Sequence, residues 1–176
     1  MIPGIYNNIQ IDASGKVISS GNQSYAFTQE NGQVSYFNIG TGTLISITSA
    51  GDGTSNFVHI NPITSLSLDS GFDNSGANDG SLAYIGLRTA TFYISATVSY
   101  KPVTANNVFV FAIAKNGTAT TSSKVISSVP ILGEMNAVSI VDLIQLTTGD
   151  IVTLLVSNYT STDDLTVFSL NLTVHG

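Results

Sequence analysis

The 176-residue chain contains no cysteine, and only 9% of its residues are charged. Without cysteine there is neither a disulfide framework nor a thiolate metal site, so an exposed fold has to be held by packing or by association between chains. Basic residues are scarcest: five Lys and Arg stand against eleven Asp and Glu, for a formal net charge of −6. Five scattered cations cannot follow a phosphate backbone, which excludes a nucleic-acid partner. Long apolar runs are missing as well. No window approaches the roughly 18 continuous apolar residues of a membrane helix, and Met1-Ile2-Pro3-Gly4 opens neither a basic nor an apolar leader segment. No membrane partner is expected.

What is present is apolar alternation between clusters of Gly, Asn, Asp and Ser, the pattern of short strands joined by turns. Hydrophobic residues make up 43% of the chain, and with so little charge the polar surface is left to hydroxyls and amides, a composition suited to an all-β extracellular or virion protein. In "TFYISATVSY" (91–100), Phe92, Ile94, Ala96, Val98 and Tyr100 fall on one face and Thr91, Tyr93, Ser95, Thr97 and Ser99 on the other. "NVFVFAIAKNG" (107–117) is apolar on both faces and ends in Asn-Gly, which suits the positive φ of a tight turn. Residues 136–158 read as two strands about Thr147-Thr148-Gly149-Asp150. In "LTVFSLNLTV", strict alternation puts Phe168, Leu170, Leu172 and Val174 on one face and Leu165, Val167 and Asn171 on the other. Hairpins are expected around Asn31-Gly32 and around Gly51-Asp52-Gly53, and residues 69–80 read as a polar loop with nothing to bury. The resulting division is residues 1–24, 25–55 as a β neck, and 56–176.

Four features in residues 56–176 occur in a telling order: Tyr-x-Gly at Tyr84, Lys-Asn-Gly at Lys115, Leu-x-x-Gly-Asp at Leu146 and Asn-x-Thr at Asn158. The ordered set resembles the trimeric jelly-roll heads of the tumour necrosis factor and complement globular-head superfamily, above all those at the tips of viral and phage fibres. Upstream, "PGIYNNIQIDASGKVISSG" (3–21) resembles a single shaft repeat of a phage tail fibre. The two resemblances together imply an all-β, antiparallel jelly-roll sandwich on a short N-terminal β shaft, assembled as a homotrimer. In such an assembly one sheet would bury Tyr93, with Leu155 and Val167, against neighbouring chains; alternatively Tyr93 is an isolated exposed aromatic. The shaft-like stretch has only six apolar side chains, too few to fold alone, and three copies about an axis would share them.

No catalytic constellation is found, and the chain reads as no enzyme. His59 and His175 stand far apart in sequence, and "GTGTLI" and "GDGTSN" lack the third glycine of a nucleotide loop. The adjacent Asp163 and Asp164 would point to opposite sides of a strand, not toward each other as glycoside cleavage requires. Asp69, Asp73 and Asp79 offer hard oxygen ligands without the spacing of a calcium loop, so they are either a calcium site or a solvated acidic loop; no other cofactor is expected. Loop residues Asn106, Asn107, Tyr159, Asp163 and Asp164 are the candidate ligand contacts, with Tyr159 either stacking on a sugar or packing in the core. The resemblance implies a virion host-attachment head that recognises a cell-surface glycan or protein, joined to other virion proteins through its N-terminus. The rivals are a structural capsid spike or trimerisation cap without a ligand, and a bacterial surface adhesin.

Overall fold

Period-2 patterning rich in β-branched residues buries one face of each strand, and the alternating stretches pair accordingly. The computed structural model describes residues 8–21, 29–68, 71–74 and 78–176. In chain order the strands are β1 (Asn8–Ile11), β2 (Val17–Gly21), β3 (Asn31–Phe37), β4 (Thr43–Ile45), β5 (Val58–His59), β6 (Ser65–Leu68), β7 (Phe72–Asp73) and β8 (Leu82–Tyr84). They continue as β9 (Ala90–Pro102), β10 (Asn107–Lys115), β11 (Thr118–Ala119), β12 (Val125–Val129), β13 (Asn136–Leu146), β14 (Ile151–Asn158) and β15 (Leu165–His175). A six-stranded antiparallel sheet runs β13-β9-β15-β3-β6 with β4 beside β15. A seven-stranded antiparallel sheet runs β11-β10-β14-β8-β7, with β12 beside β10 and β5 beside β14. β1 and β2 form a two-stranded hairpin of their own.

Between the two large sheets lies one core containing two aromatic clusters. Phe72, Tyr84 and Phe92 meet at centroid distances of 4.9 to 5.4 Å near the end where β3 begins. Tyr100, Phe109 and Phe111 meet toward the other end, and the Tyr100 hydroxyl donates to Ser127 Oγ at 2.7 Å. Such pairs add about 0.5–1.5 kcal/mol beyond the area they bury.

Strand β9 and the Asn116-Gly117 turn follow the alternation and turn chemistry of the sequence: all five inward residues of β9 are buried, and Asn116 and Gly117 take φ of 51° and 75°. Several other expectations are corrected. Asn31-Gly32 is no hairpin turn, since both residues lie inside β3 opposite His175 and Val174. Strands β3 and β4, in the stretch expected to be a separate neck, are laid into the six-stranded sheet beside β15. The segment around Gly51-Asp52-Gly53 is no hairpin either, because β4 and β5 belong to different sheets. Residues 69–80 do bury something: Phe72 is packed between Tyr84 and Phe92.

Residues 46–57 cross the outward side of the seven-stranded sheet. There Gly51 N donates to Asn158 O, Ser157 Oγ donates to Ser55 O, and Gly53 lies over Val110. This crossing explains why β10 and β14 are apolar on both faces. Phe109, Phe111 and Ile113 fill the core, while Val110, Ala112, Ala114 and Leu155 are buried on the opposite side of the same strands.

Candidate functional site

Three connections meet at the end of the sandwich away from Asn31: residues 103–106 between β9 and β10, 130–135 between β12 and β13, and 159–164 between β14 and β15. A buried amide pair holds this tip together. Asn158, fully buried, donates through Nδ2 to Asn107 Oδ1 at 2.8 Å and to the Asp163 carbonyl at 2.9 Å, and its Oδ1 accepts from Thr160 N at 3.0 Å. Asn107, also buried, donates to the Thr104 carbonyl at 2.9 Å. Buried amides must be satisfied in this way or they cost about 1–3 kcal/mol each.

Asp163 accepts from the Thr104 hydroxyl at 2.5 Å and from Ser161 Oγ at 2.9 Å. Those two hydroxyls, Thr104 first, hold its carboxyl below the ordinary carboxylate range. Asp164 turns the other way and accepts the Ile47 amide at 2.7 Å. The adjacent carboxylates therefore belong to separate hydrogen-bond sets, not to a facing acid–base pair. Of the five candidate contacts, Asn107, Asp163 and Asp164 spend their polar atoms on the loops themselves. Asn106, at φ 60°, and Tyr159, 56% exposed, face solvent. Val103, Ile131, Leu132 and Met135 are exposed on the same group of connections. The sequence carried a signal for them in "PILGEM", three large apolar residues in a stretch with no strand pattern.

The residues expected at an interface divide. Tyr93 is 47% exposed on the outward face of the six-stranded sheet, directly opposite Leu143 of β13, itself 68% exposed. Val141 is exposed two positions along β13. Leu155 is 5% exposed, on a face its own chain covers, and Val167 is fully buried. Neither offers surface to a neighbour. For Val167 the cause is a bulge: the β9 register shifts between Val167 and Ser169, so that Leu165 and Val167 point inward before it and Leu170, Leu172 and Val174 after it. Strict alternation through Phe168 had put Val167 on the wrong face. Val141 and Leu143 were missed, although both occupy outward positions of a strand whose inward set, Val138, Ile140, Ile144 and Leu146, is complete without them.

Of the acidic residues considered for a cation, Asp69 lies outside the described residues. Asp73 accepts the Asn74 amide at 2.7 Å, and Asp79 accepts the Ser81 hydroxyl at 2.5 Å, each within its own turn. Among the described residues no three His, Asp or Glu side chains converge to hold a metal ion.

No protein family and no curated protein matches the chain by sequence. By structure it is similar to the Eiger tumour necrosis factor of S. frugiperda, at 11% identity and a TM-score of 0.52 over 84% of this chain and 92% of that one. It also aligns with murine APRIL (15% identity, TM-score 0.49, 82% and 98% covered) and with PRD1 vertex protein P5 (16% identity, TM-score 0.47, 84% and 96% covered). The two-sheet topology and the likeness to Eiger make the fold a jelly roll of the tumour necrosis factor type. Two antiparallel sheets in this arrangement define a scaffold, and a scaffold hosts many functions.

Proposed function

We propose that the chain is a non-enzymatic, receptor-binding attachment head of a trimeric viral or phage fibre or spike, displayed on the virion. The carrying observation is the outward face of the six-stranded sheet, where Tyr93, Val141 and Leu143 stand together, exposed among the described residues, while the core of the sandwich is filled by other side chains. Burying large apolar side chains is worth about 1.5–3 kcal/mol each, and a cyclic homotrimer would cover this strip in every copy. The antiparallel β1–β2 hairpin upstream supports the same reading, as a short β shaft ahead of the head. Trivalence would also let weak single sites, around Asn106 and Tyr159 at the tip, act with high avidity on a cell-surface glycan or protein.

Multi-angle light scattering of the purified protein should give three times the 18.4 kDa chain mass. Leu143→Asp should lower it to the monomer with an unchanged β circular dichroism spectrum. The fluorescently labelled trimer should decorate host cells and the Tyr159→Ala trimer should do so less. A monomeric wild-type protein that decorates no cell type overturns the reading. A stable trimer that decorates none points instead to a structural cap.

A further inference from the structure

On the flank of the seven-stranded sheet, residues 54–57 and 117–119 wall a cleft of about 320 Å³. That volume is at the small end of ligand pockets and suits a single ring. The 54–57 wall is fixed in advance. Asp52 Oδ1 accepts from Thr54 N at 2.7 Å, Thr54 Oγ1 at 2.6 Å, Ser55 N at 2.7 Å and Ser55 Oγ at 3.0 Å. Asn56 sits at φ 54° and donates through Nδ2 to Ala50 O at 2.8 Å. A wall that needs no ordering loses little affinity to conformational entropy.

These bonds also decide the chemistry of the cleft. Thr54 and Ser55 give their hydroxyl protons to Asp52 and so offer lone pairs to the cleft, whereas Asn56, with one amide proton on Ala50 O, keeps a second N–H to donate and its carbonyl oxygen to accept. Phe57 adds an apolar wall. The nearby cation is Lys124, whose Nζ stands 5.5 Å from the centre of the Phe57 ring and donates one of its three protons to Gly53 O at 2.8 Å. Asp52 behind the loop and Lys124 beside Phe57 offset one another, so no single sign of charge dominates the cleft. Ala119 lines the cleft, and behind it the cross-strand row continues to Ala114 and Thr153, which do not line it. At the inner end of that row the Thr153 hydroxyl is buried and has no hydrogen-bond partner among the described residues.

Two hydroxyl acceptors and an amide that both donates and accepts, set beside an aromatic ring, call for a small ring that carries several hydroxyl groups. We propose that this cleft binds one neutral hexopyranose unit, its hydroxyls donating to Thr54, Ser55 and Asn56 and its C–H face against Phe57. The site deepens the attachment reading and rests on it, adding a sugar contact on the flank, away from the Asn106 and Tyr159 tip.

The test is amide NMR of the intact protein titrated with the methyl pyranosides of galactose, glucose and mannose, with the methyl glycoside of N-acetylneuraminic acid as the anionic comparator. At least one neutral glycoside should shift the amides of residues 54–57 and 117–119. Ala119→Trp, which fills the cleft from its floor, should weaken that binding more than tenfold. Thr118→Ala, a milder change at the rim, should weaken it severalfold, and Leu87→Ala, at an exposed position outside the cleft, should leave it unchanged, all with native spectra. No cleft shifts with any neutral glycoside, tighter binding of the anionic one, or undiminished binding by Ala119→Trp each overturns the site. Cell decoration measured on the same variants separates the two ideas. Retained decoration without cleft shifts removes the cleft and keeps the attachment head, whereas cleft shifts without decoration keep the sugar site and remove the head.

Discussion

A methyl group on Gly86 would fall against the ring and hydroxyl of Tyr84, two residues back, which is the physical content of the Tyr-x-Gly signal. The hydroxyl of Tyr84 lies 2.8 Å from both Glu30 Oε2 and Arg88 O, so the ring cannot swing aside without losing a polar contact. Gly86→Ala should therefore destabilise by about 1–3 kcal/mol, the usual range for overpacking, and Gly86→Asn should be worse. Gly133 makes the opposite case, with open space around its α-carbon and a φ of 85°. There Gly133→Ala should cost about 1–2 kcal/mol through backbone strain alone, and Gly133→Asn should recover most of it because Asn tolerates the left-handed region. Urea denaturation of the four variants reads the difference; equal responses to Asn at both sites would sink the distinction. Near Gly86, Asp150 anchors the turn before β14 by accepting from Lys115 Nζ at 2.7 Å, Asn116 Nδ2 at 2.7 Å and Thr147 N at 2.7 Å. Asp150→Asn should lower stability by about 1.5–3 kcal/mol, the range for hydrogen bonds to a charged group, measured the same way.

The strands whose alternation is unbroken were legible in the sequence, and those interrupted or paired at long range were not. β9 follows a period of two from end to end, and its partner faces could be read residue by residue. β15 carries the same kind of pattern, but the bulge at Phe168 reverses the phase, and a bulge in a stretch without glycine leaves no compositional mark. The faces of Leu165 and Val167 were therefore misread. Val167→Ala should cost about 1–3 kcal/mol, within the range for removing buried methyl groups, while Phe168→Ala, on the partly exposed side of the bulge, should cost less than half of that. Equal costs would argue that the register does not shift. The chain's crossing between sheets at residues 46–57 was hidden for another reason: Gly-Asp-Gly fits a hairpin as well as a crossover, and only pairing with β14 and β15 decides between them. The candidate cleft was hidden with it, because its walls come from segments some sixty residues apart. The Asp12–Gly15 turn of the shaft-like hairpin was readable. Gly15 takes φ 83°, and Asp12 Oδ1 accepts from Ser14 N at 2.9 Å and Lys16 N at 3.0 Å. One such turn does not stabilise two short strands, since isolated hairpins are marginal in water. A peptide of residues 1–24 should show no β signal by circular dichroism, and a folded spectrum would remove the need for threefold wrapping.

Across the whole molecule, acid should act in two stages. Burial holds the His59 imidazole below its ordinary value, while Asp79 nearby pulls the other way. A depressed histidine means the unfolded chain takes up its proton first, near pH 6.5. His59 thus contributes stability that is present above that pH and drains away as pH falls toward its folded pKa. Burial is the largest single influence on Asp150 and would raise its pKa, but Lys115, then the Thr147 amide and the Asn116 side chain, together hold the carboxyl well below the ordinary range. Its contribution is present above about pH 3.9, where the unfolded carboxylate titrates, and is lost as pH falls toward the folded pKa. Asp12, Asp52 and Asp163 are shifted the same way by their hydroxyl and amide donors, and these three exposed groups steepen the lower stage. Melting temperature should be level above pH 7, decline gently from about 6.5, and fall more steeply below about 4. No single group can contribute a slope beyond about 1.4 kcal/mol per pH unit, which keeps the His59 stage shallow. His59→Gln should flatten the upper stage and leave the lower one, and Asp150→Asn should soften the lower stage and leave the upper one. A wild-type melting temperature that does not change between pH 7 and 5 would mean that the half-buried imidazole is not coupled to folding, and that its Nε2, without a hydrogen-bond partner among the described residues, is reached by solvent.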